Sequence, residues 1–330
     1  MTISSEITRP PILPEAAQRM VAELLSGKYL GASRNIRQIN DLLVCIAREW
    51  NTDSGKDLAA ALCATGDYLI ATRGRNTPAI CNAIRLILHG IDPTTAGDVD
   101  EIRQLLETRQ ADLNSISLRN AELIADYGAN FLAQCNVIMA FDYSSSQLAI
   151  LRRLAERGSH KHIIVPESRA LDGGRPIVRE ATACGHQVTY VVDLAFGHFL
   201  PQCDAVLIGA ETITADGACW NTIGSYPIAM LAHVHQVPLY VATELIKIDP
   251  DSFAGIRRAI KCCDYSDLLK YPGSFERTEL ISVTAPDLEI VPANLITSYI
   301  TPLGVMLPSH LRSEAQHFLE SIGVSLRGGK

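Results

Sequence analysis

Residues 205–226 read AVLIGAETITADGACWNTIGSY and hold the pattern that decides the fold. The stretch opens with a continuous apolar run, which stops where the chain reaches the carboxylate of Glu211. Continuous short apolar runs are typical of strands that are buried on both faces of a parallel sheet. Similar runs precede and follow it, namely VIMAF at 137–141, HIIVP at 162–166, QVTYVVD at 187–193 and PLYVAT at 238–243.

Helical patterns separate these strands and also fill the first part of the chain. Apolar residues recur there at three- and four-residue spacing, as on one face of a helix. The predicted fold class is therefore α/β, with an N-terminal all-helical domain at 1–128 and a Rossmann-like doubly wound parallel sheet at 129–330. The predicted helices are 13–27, 35–52, 56–66, 77–90 and about 98–128, with an interruption at 67–75, and then 145–157, 174–184 and 225–236.

The composition favours a globular protein of the cytoplasm. The 330 residues carry a formal net charge of -7, which argues against a nucleic-acid-binding surface. No apolar run approaches the roughly 18 residues of a membrane span, and the N-terminus lacks the basic and apolar regions of a signal peptide. The nine cysteines are irregularly spaced, which favours reduced thiols, and no metal site is expected from the cysteine and histidine spacing.

Acidic residues follow the predicted strands, among them Asp142, Asp193 and Glu211. Ligands of open parallel sheets bind outside the carboxyl ends of the strands, near the point where the strand order reverses. A sheet needs no carboxylates there for its stability, so these residues are candidates for a site. Ser144 beside Asp142 is equally well explained as a helix cap. After Glu211 we expect a loop, because the next helical pattern starts only near Gly224.

Longer runs around these strand ends carry a family resemblance. They are YLGASRNI at 29–36, TRGRNTPAICNAI at 72–84, PESRALDGGRPIVREA, VVDLAFGHFL, VLIGAETITADGACWNTIGSYPIAML and VPANLITSYITPLGV. In this order they resemble the superfamily of methylthioribose-1-phosphate isomerase, ribose-1,5-bisphosphate isomerase and the alpha, beta and delta regulatory subunits of the eukaryotic translation-initiation exchange factor. The resemblance extends over nearly the whole chain from about residue 15.

That resemblance implies a helical N-terminal domain on a Rossmann-like C-terminal domain, paired as a homodimer. The isomerases of the superfamily convert an aldose 1-phosphate into a ketose 1-phosphate without a metal or nucleotide cofactor. The expected partner is therefore a small-molecule sugar phosphate or a similar anion, with no cofactor, no nucleic acid and no membrane. The exchange-factor subunits of the superfamily are regulatory and do not isomerise sugars.

The resemblance also implies two catalytic residues. The isomerases place a cysteine of a His-Cys-Asn run at the end of the first strand of the C-terminal domain. Alignment of strand with strand puts Asp142 at that position, whereas Cys135 precedes the strand and is interpreted as a packed thiol. The second catalytic residue is the aspartate of a Gly-Ala-Asp run, and here the corresponding residue is Glu211, which is longer by one methylene. The regulatory subunits often carry that same glutamate.

The phosphate anchors depart from the family pattern as well. The family's Asn-Lys-Ile-Gly is replaced by residues 221–224, which read NTIG, and its Arg-Gly-Ala by residues 30–32, which read LGA. Arg34, Arg73 and Arg175 are cations that can take the place of the lost ones, although an arginine is more often a solvated surface charge. The candidate substrate-binding residues are Gly31, Ala32, Arg75, Thr77, Ser144, Arg169, Asp193, Asn221 and Thr222.

Two hypotheses about function remain open from the sequence. The first is an isomerase-like enzyme that acts on a phosphorylated or otherwise anionic aldose, with Asp142 and Glu211 as its acid–base pair. Its substrate would differ from those of the named isomerases, because the anchors differ. The alternative is a non-catalytic regulatory protein of the exchange-factor subunit type, which binds a sugar phosphate or a nucleotide.

Overall fold

The computed structural model describes residues 12–26, 31–256, 259–260, 262–265, 277–324 and 326. The first part of the described chain is helical, as predicted. Its apolar stripes pack into one core, which includes Leu24, Ile39, Leu62 and Ile84. The helices are α1 (Glu15–Leu25), α2 (Ala32–Glu49), α3 (Gly55–Ala71), α4 (Pro78–Leu88) and α5 (Val99–Phe131).

The predicted interruption at 67–75 is wrong over its first half. Helix α3 continues to Ala71, because Tyr68 and Leu69 are buried in the helical core and extend its apolar face. Only a 3-10 turn, Gly74–Asn76, then separates α3 from α4. The interruption is therefore shorter than the sequence pattern indicates.

The second part of the chain forms a seven-stranded sheet. Along the sequence, helices alternate with most of its strands. Its order is β12-β11-β7-β4-β1-β2-β3, and only the pairing of β11 with β12 is antiparallel among the described strands of this sheet. The strands, in chain order, are β1 (Val137–Phe141), β2 (His162–Pro166), β3 (Gln187–Val191), β4 (Ala205–Ile208), β5 (Thr212–Ile213), β6 (Cys219–Thr222), β7 (Leu239–Ala242), β8 (Cys262–Asp264), β9 (Thr284–Pro286), β10 (Leu288–Val291), β11 (Ser298–Thr301) and β12 (Gly304–Met306). The helices are α6 (Ser145–Glu156), α7 (Gly174–Ala183), α8 (Phe196–Phe199), α9 (Ser225–Val234) and α10 (Pro308–Ser321).

The strand order reverses between β1 and β4. The chain proceeds from β1 through β2 to β3 on one side, then returns to β4 and proceeds through β7 to β11 on the other. A reversal of this kind opens a crevice at the carboxyl ends of the two central strands. The predicted doubly wound α/β fold is confirmed.

The loop expected after Glu211 is replaced by strands. β5 and β6 pair antiparallel, with Thr212 opposite Trp220, and β10 pairs with the other side of β6. The hairpin was not predicted because its two short strands contain only three apolar side chains, those of Ile213, Cys219 and Trp220. All three are buried. The second, three-stranded sheet therefore holds residues 212–222 in fixed positions beside the crevice.

Helix α5 connects the helical part to the sheet. Its first turns contribute Val99 and Leu106 to the helical core, whereas Ile124 and Ala129 pack against the sheet and α6. The predicted domain boundary at residue 128 falls inside this helix and remains a prediction. Within the described residues, we find no helix that has the length and apolar character needed to span a membrane.

Candidate active site

Asp142 and Glu211 lie at the strand-order reversal. β1 and β4 are paired neighbours, with Phe141 opposite Ile208, so the residues that follow them leave the sheet at the same edge. Asp142 comes directly after β1, and Glu211 follows β4 by three residues. The topology therefore brings the two predicted acid–base residues to one crevice.

The Asp142 carboxylate is 8% exposed and accepts two hydrogen bonds from hydroxyl groups. Ser168 Oγ donates to Oδ1 at 2.9 Å, and Thr222 Oγ1 donates to Oδ2 at 2.6 Å. Burial raises the pKa of the Asp142 carboxyl above its ordinary value, and the charge of Asp193 adds to this, whereas the two hydroxyls and the Tyr143 amide oppose it. The residue also has a left-handed backbone, with φ at 58°, which is uncommon outside glycine.

Gly173 makes room for this carboxylate. A Cβ atom on Gly173 would lie 1.9 Å from Asp142 Oδ1, closer than any real contact allows. Gly173, just before α7, is thus required by its close approach to Asp142, whereas a Cβ on Gly174 would instead lie 2.5 Å from the carbonyl oxygen of Pro166. The sequence shows the two glycines but not the atoms that they approach.

Asp193 has both carboxylate oxygens occupied by the backbone of the same loop. The amides of Ser168 and Arg169 donate to Oδ1 at 2.7 Å and to Oδ2 at 2.9 Å, respectively. Ser168 itself has a positive φ of 49°, which this pair of bonds supports. The structure therefore gives Asp193 a role in holding the loop that presents Ser168, and its predicted contact with substrate remains a prediction.

A lysine that the sequence reasoning missed lies beside Glu211. Lys247 ends the 3-10 turn Leu245–Lys247 after β7, and its Nζ donates to the carbonyl oxygen of Ala210 at 2.6 Å. Glu211 is half-buried, and its amide is fixed by the carbonyl of Trp220 at 2.8 Å. The crevice thus has an ammonium group bound to the backbone carbonyl that directly precedes Glu211. The sequence did offer one signal for Lys247, which is its position four residues after the end of the predicted strand 238–243.

Asn221 and Thr222 are buried, at 5% and 3% exposure, and both are hydrogen-bonded within the protein. Asn221 Nδ2 donates to Ser225 Oγ at 2.9 Å, and Ser225 Oγ donates to the Thr222 carbonyl at 2.7 Å. These bonds hold the segment that carries the Thr222 hydroxyl toward Asp142. Both residues were predicted to bind substrate, and their described side-chain partners are internal.

The amino terminus of α9 is occupied by an acidic side chain. Glu289 Oε1 accepts from the amide of Gly224 at 2.6 Å and from that of Tyr226 at 2.7 Å. Burial raises the pKa of the Glu289 carboxyl, and the amide donors oppose that rise. Gly224 has a φ of 105°, which other residues rarely adopt. This helix terminus is therefore not open to an anionic ligand, because a carboxylate of the protein already binds its amides.

The helical part approaches the crevice through α2 and α4. Gly31, with φ at 83°, precedes α2, and a Cβ there would lie 3.5 Å from a ring carbon of Tyr143. Asn82 of α4 is fully buried, and its Nδ2 donates at 2.9 Å to the carbonyls of both Ile246 and Ile248. The amino end of α2 therefore lies beside Tyr143, and α4 is bonded to the 246–248 backbone that follows β7. Helix amino ends favour anions.

The remaining predicted residues lie around these elements. Ala32 is the buried first residue of α2, and Thr77 immediately precedes α4. Arg75 is exposed on the turn before Thr77, and Arg169 lies 3.5 Å from the carboxylate of Glu167. Ser144 is buried before α6, and its side chain makes no capping hydrogen bond, which weakens the helix-cap interpretation. Leu30 lies outside the described residues.

Cys135 lies at the opposite edge of the sheet. It precedes β1, and the charged groups that act on it are Asp204 and Lys161, which precede β4 and β2. Burial raises the pKa of its thiol, with a further rise from Asp204. The predicted position of Cys135, away from the crevice, is confirmed. The described part of the chain contains no group of three or more His, Cys, Asp or Glu side chains that is placed to hold a metal ion.

Comparison with known proteins identifies relatives over most of the chain. The sequence profile of the Initiation factor 2 subunit family matches residues 29–308. The chain is 31% identical over 287 residues to methylthioribose-1-phosphate isomerase of Syntrophotalea carbinolica, with 82% of each chain covered. It is 28% identical over 229 residues to ribose 1,5-bisphosphate isomerase of Thermococcus kodakarensis, which covers 69% of this chain and 71% of that protein.

Solved structures show the same fold. Translation initiation factor eIF-2B of Pyrococcus horikoshii superposes with a TM-score of 0.75 at 22% identity, covering 90% of this chain and 98% of that one. The 5-methylthioribose 1-phosphate isomerase of the same organism superposes with a TM-score of 0.74 at 21% identity, covering 92% and 88%. The named sequence relatives are sugar-phosphate isomerases, and the fold is shared by isomerases and initiation-factor subunits.

Proposed function

The chain belongs to the Initiation factor 2 subunit family, and we propose that it isomerises a phosphorylated aldose to the corresponding ketose. Asp142 and Glu211 are the proposed acid–base pair. The observation that carries the proposal is that these two carboxyl groups follow paired strands at the strand-order reversal. The sugar-phosphate isomerases among the sequence relatives support the reaction class.

The reaction needs little beyond two proton-transferring groups. Conversion of an aldose to a ketose moves one hydrogen from C2 to C1 and one proton between oxygens, with no net oxidation. A base on one side of the sugar and an acid on the other satisfy this requirement, and their pKa values must differ. In the proposed reaction, the buried Asp142 and the half-buried Glu211 share these two proton transfers.

The substrate's anion is proposed to bind between the helical part and the sheet. Lys247 supplies an ammonium at the carbonyl of Ala210, and Arg75 and Thr77 lie at the amino end of α4. Helix amino termini and cations together favour a phosphate. Because Thr222 stands where the isomerases of the resemblance have a lysine, the proposed substrate differs from methylthioribose 1-phosphate and ribose 1,5-bisphosphate.

The test is an NMR assay of the full chain with a panel of aldose 1-phosphates and pentose bisphosphates. We expect ketose signals from one member of the panel, and we expect Asp142→Asn and Glu211→Gln each to lower the rate by about a hundredfold or more. Cys135→Ser is the control and is expected to be near neutral. Full activity of either carboxylate variant would overturn the assignment of the pair.

A second candidate function is ligand binding without turnover, as in a regulatory subunit. The observation that favours it is that both oxygens of Asp142 already accept hydrogen bonds within the protein. In that case ligand-observed NMR detects binding of a sugar phosphate, while no member of the panel yields a ketose. Loss of binding in Lys247→Met, together with silent turnover, would favour this function over isomerisation.

A further inference from the structure

The inference concerns the groups that face Asp142. From its own loop the Tyr143 amide faces it, from the 166–174 loop Ser168 and Gly173, from β6 Thr222, and from the end of β3 the carboxylate of Asp193. Of these, Asp193 is the titratable group, and its oxygens are engaged by two backbone amides. Hydroxyl groups therefore contribute both side-chain hydrogen bonds that Asp142 receives.

Asp142 forms no ion pair with the residues that the structure describes. The strongest influences on its carboxyl are burial, the hydroxyls of Thr222 and Ser168, the Tyr143 amide and the Asp193 charge, and none of these is a cation. Burial and a neighbouring carboxylate favour the protonated form, whereas hydrogen bonds to the oxygens favour the ionised form. The balance between protonated and ionised Asp142 therefore depends on hydrogen-bond donors that carry no charge.

Thr222 is the better placed of the two hydroxyl donors. Its hydrogen bond to Asp142 is 2.6 Å long, compared with 2.9 Å for that of Ser168. It is the last residue of β6, which is paired on both sides, and it is 3% exposed. A β-branched side chain in a strand has few χ1 choices, so the hydroxyl is held in place.

We propose that Thr222 is a positioning residue whose hydroxyl keeps Asp142 ionised without a neighbouring cation. The consequence of this hydrogen bond for turnover rests on the proposed isomerase function. Its effect on the protonation of Asp142 does not. A lysine at this position would bring a cation into the neighbourhood of the carboxylate, and a nearby cation favours the ionised form more strongly than a hydroxyl does. Asp142 would then be a poor proton acceptor, because a base that holds its charge too firmly takes up a proton reluctantly.

The experiment is a titration of the Asp142 carboxyl carbon by NMR in protein labelled with 13C at the aspartate carboxyls. Thr222→Val removes the hydroxyl at similar volume, and we expect the pKa of Asp142 to rise by about one unit. Thr222→Ser keeps the hydroxyl and is expected to leave the titration near that of the wild type. If Thr222→Val does not fold, Thr222→Ala replaces it with the same expected direction.

An unchanged or lowered pKa in the variant without the hydroxyl would overturn the proposal. So would a Thr222→Ser variant that titrates like Thr222→Val, because the pKa shift would then not depend on the presence of the hydroxyl. The NMR titration needs no substrate, so it is independent of whether the protein turns over a sugar. If the isomerase assay is positive, the acidic limb of the kcat/KM profile should move by about one pH unit in the same direction.

Discussion

Asp142 combines burial, a left-handed backbone and two hydroxyl donors in one residue. Its burial implies a cost to stability, because the raised pKa of its carboxyl means that the folded chain holds the proton more tightly than the unfolded chain. Stability is then lost as the pH rises from the ordinary carboxyl range through the raised pKa. This direction is opposite to that of a typical salt-bridged aspartate.

We predict that Asp142→Asn removes this loss. The Tm of the variant minus that of the wild type should increase as the pH rises through that window and stay constant above it. Differential scanning fluorimetry from about pH 3 to about pH 8 measures this difference. Asp204→Asn is the matched control: two backbone amides lower the pKa of Asp204, so the Tm of this variant minus that of the wild type should fall as the pH rises to the ordinary carboxyl pKa and stay constant above it. The same pH trend in both variants would contradict the prediction.

Gly173 gives a second prediction at the residue scale. Gly173→Ala places a methyl group on Asp142 Oδ1, and we expect a loss of about 1–3 kcal/mol in the free energy of unfolding together with reduced turnover. Gly197→Ala is the control, because its nearest contact, a Leu231 methyl at 3.4 Å, is an ordinary one. Urea unfolding of both variants measures the difference. Equal stability of the two would show that the 166–174 loop can move away from Asp142.

At the scale of elements, α4 and the 245–247 turn depend on one asparagine. Asn82 donates to the carbonyls on either side of Lys247, so it helps to hold the turn whose ammonium binds the Ala210 carbonyl. Asn82→Leu leaves the buried carbonyl of Ile248 and the half-buried carbonyl of Ile246 without this donor. Each costs about 1–3 kcal/mol.

We therefore predict a lowered Tm and weakened binding of the substrate anion in Asn82→Leu. Thermal unfolding and ligand-observed NMR with a sugar phosphate measure the two effects. Asn51→Leu, at an exposed asparagine, is the control and should change neither. A destabilised Asn82→Leu variant with unchanged anion binding would show that the 245–247 turn does not contribute to the anion site.

The strands of the central sheet are readable from the sequence because burial on both faces leaves a continuous apolar run, as in VIMAF and AVLIGA. The β5–β6 hairpin is not readable in this way, since polar residues interrupt it. Likewise, an acid that faces a ligand looks the same in sequence as one that holds a loop, as Asp193 does. Ser168, Lys247 and Glu289 acquire their roles only through contacts made across the chain.

At the scale of the whole molecule, the family resemblance predicts a homodimer. Sedimentation velocity of the full chain should give a mass twice that of one chain at micromolar concentration. The mass should stay constant on dilution over about tenfold if the interface is of the obligate kind. A single species with the mass of one chain would contradict the prediction.

Helix α5 has a consequence for how the protein is made. At 33 residues it is about 50 Å long, and its two ends belong to different cores. During synthesis, the first turns can pack as soon as α1 to α4 have emerged from the ribosome. Ile124 and Ala129 must wait for β1 and α6, so they are open to chaperones and proteases in the meantime. Helix α5, which connects the helical part to the sheet, is thus the last of the five N-terminal helices to be fully packed.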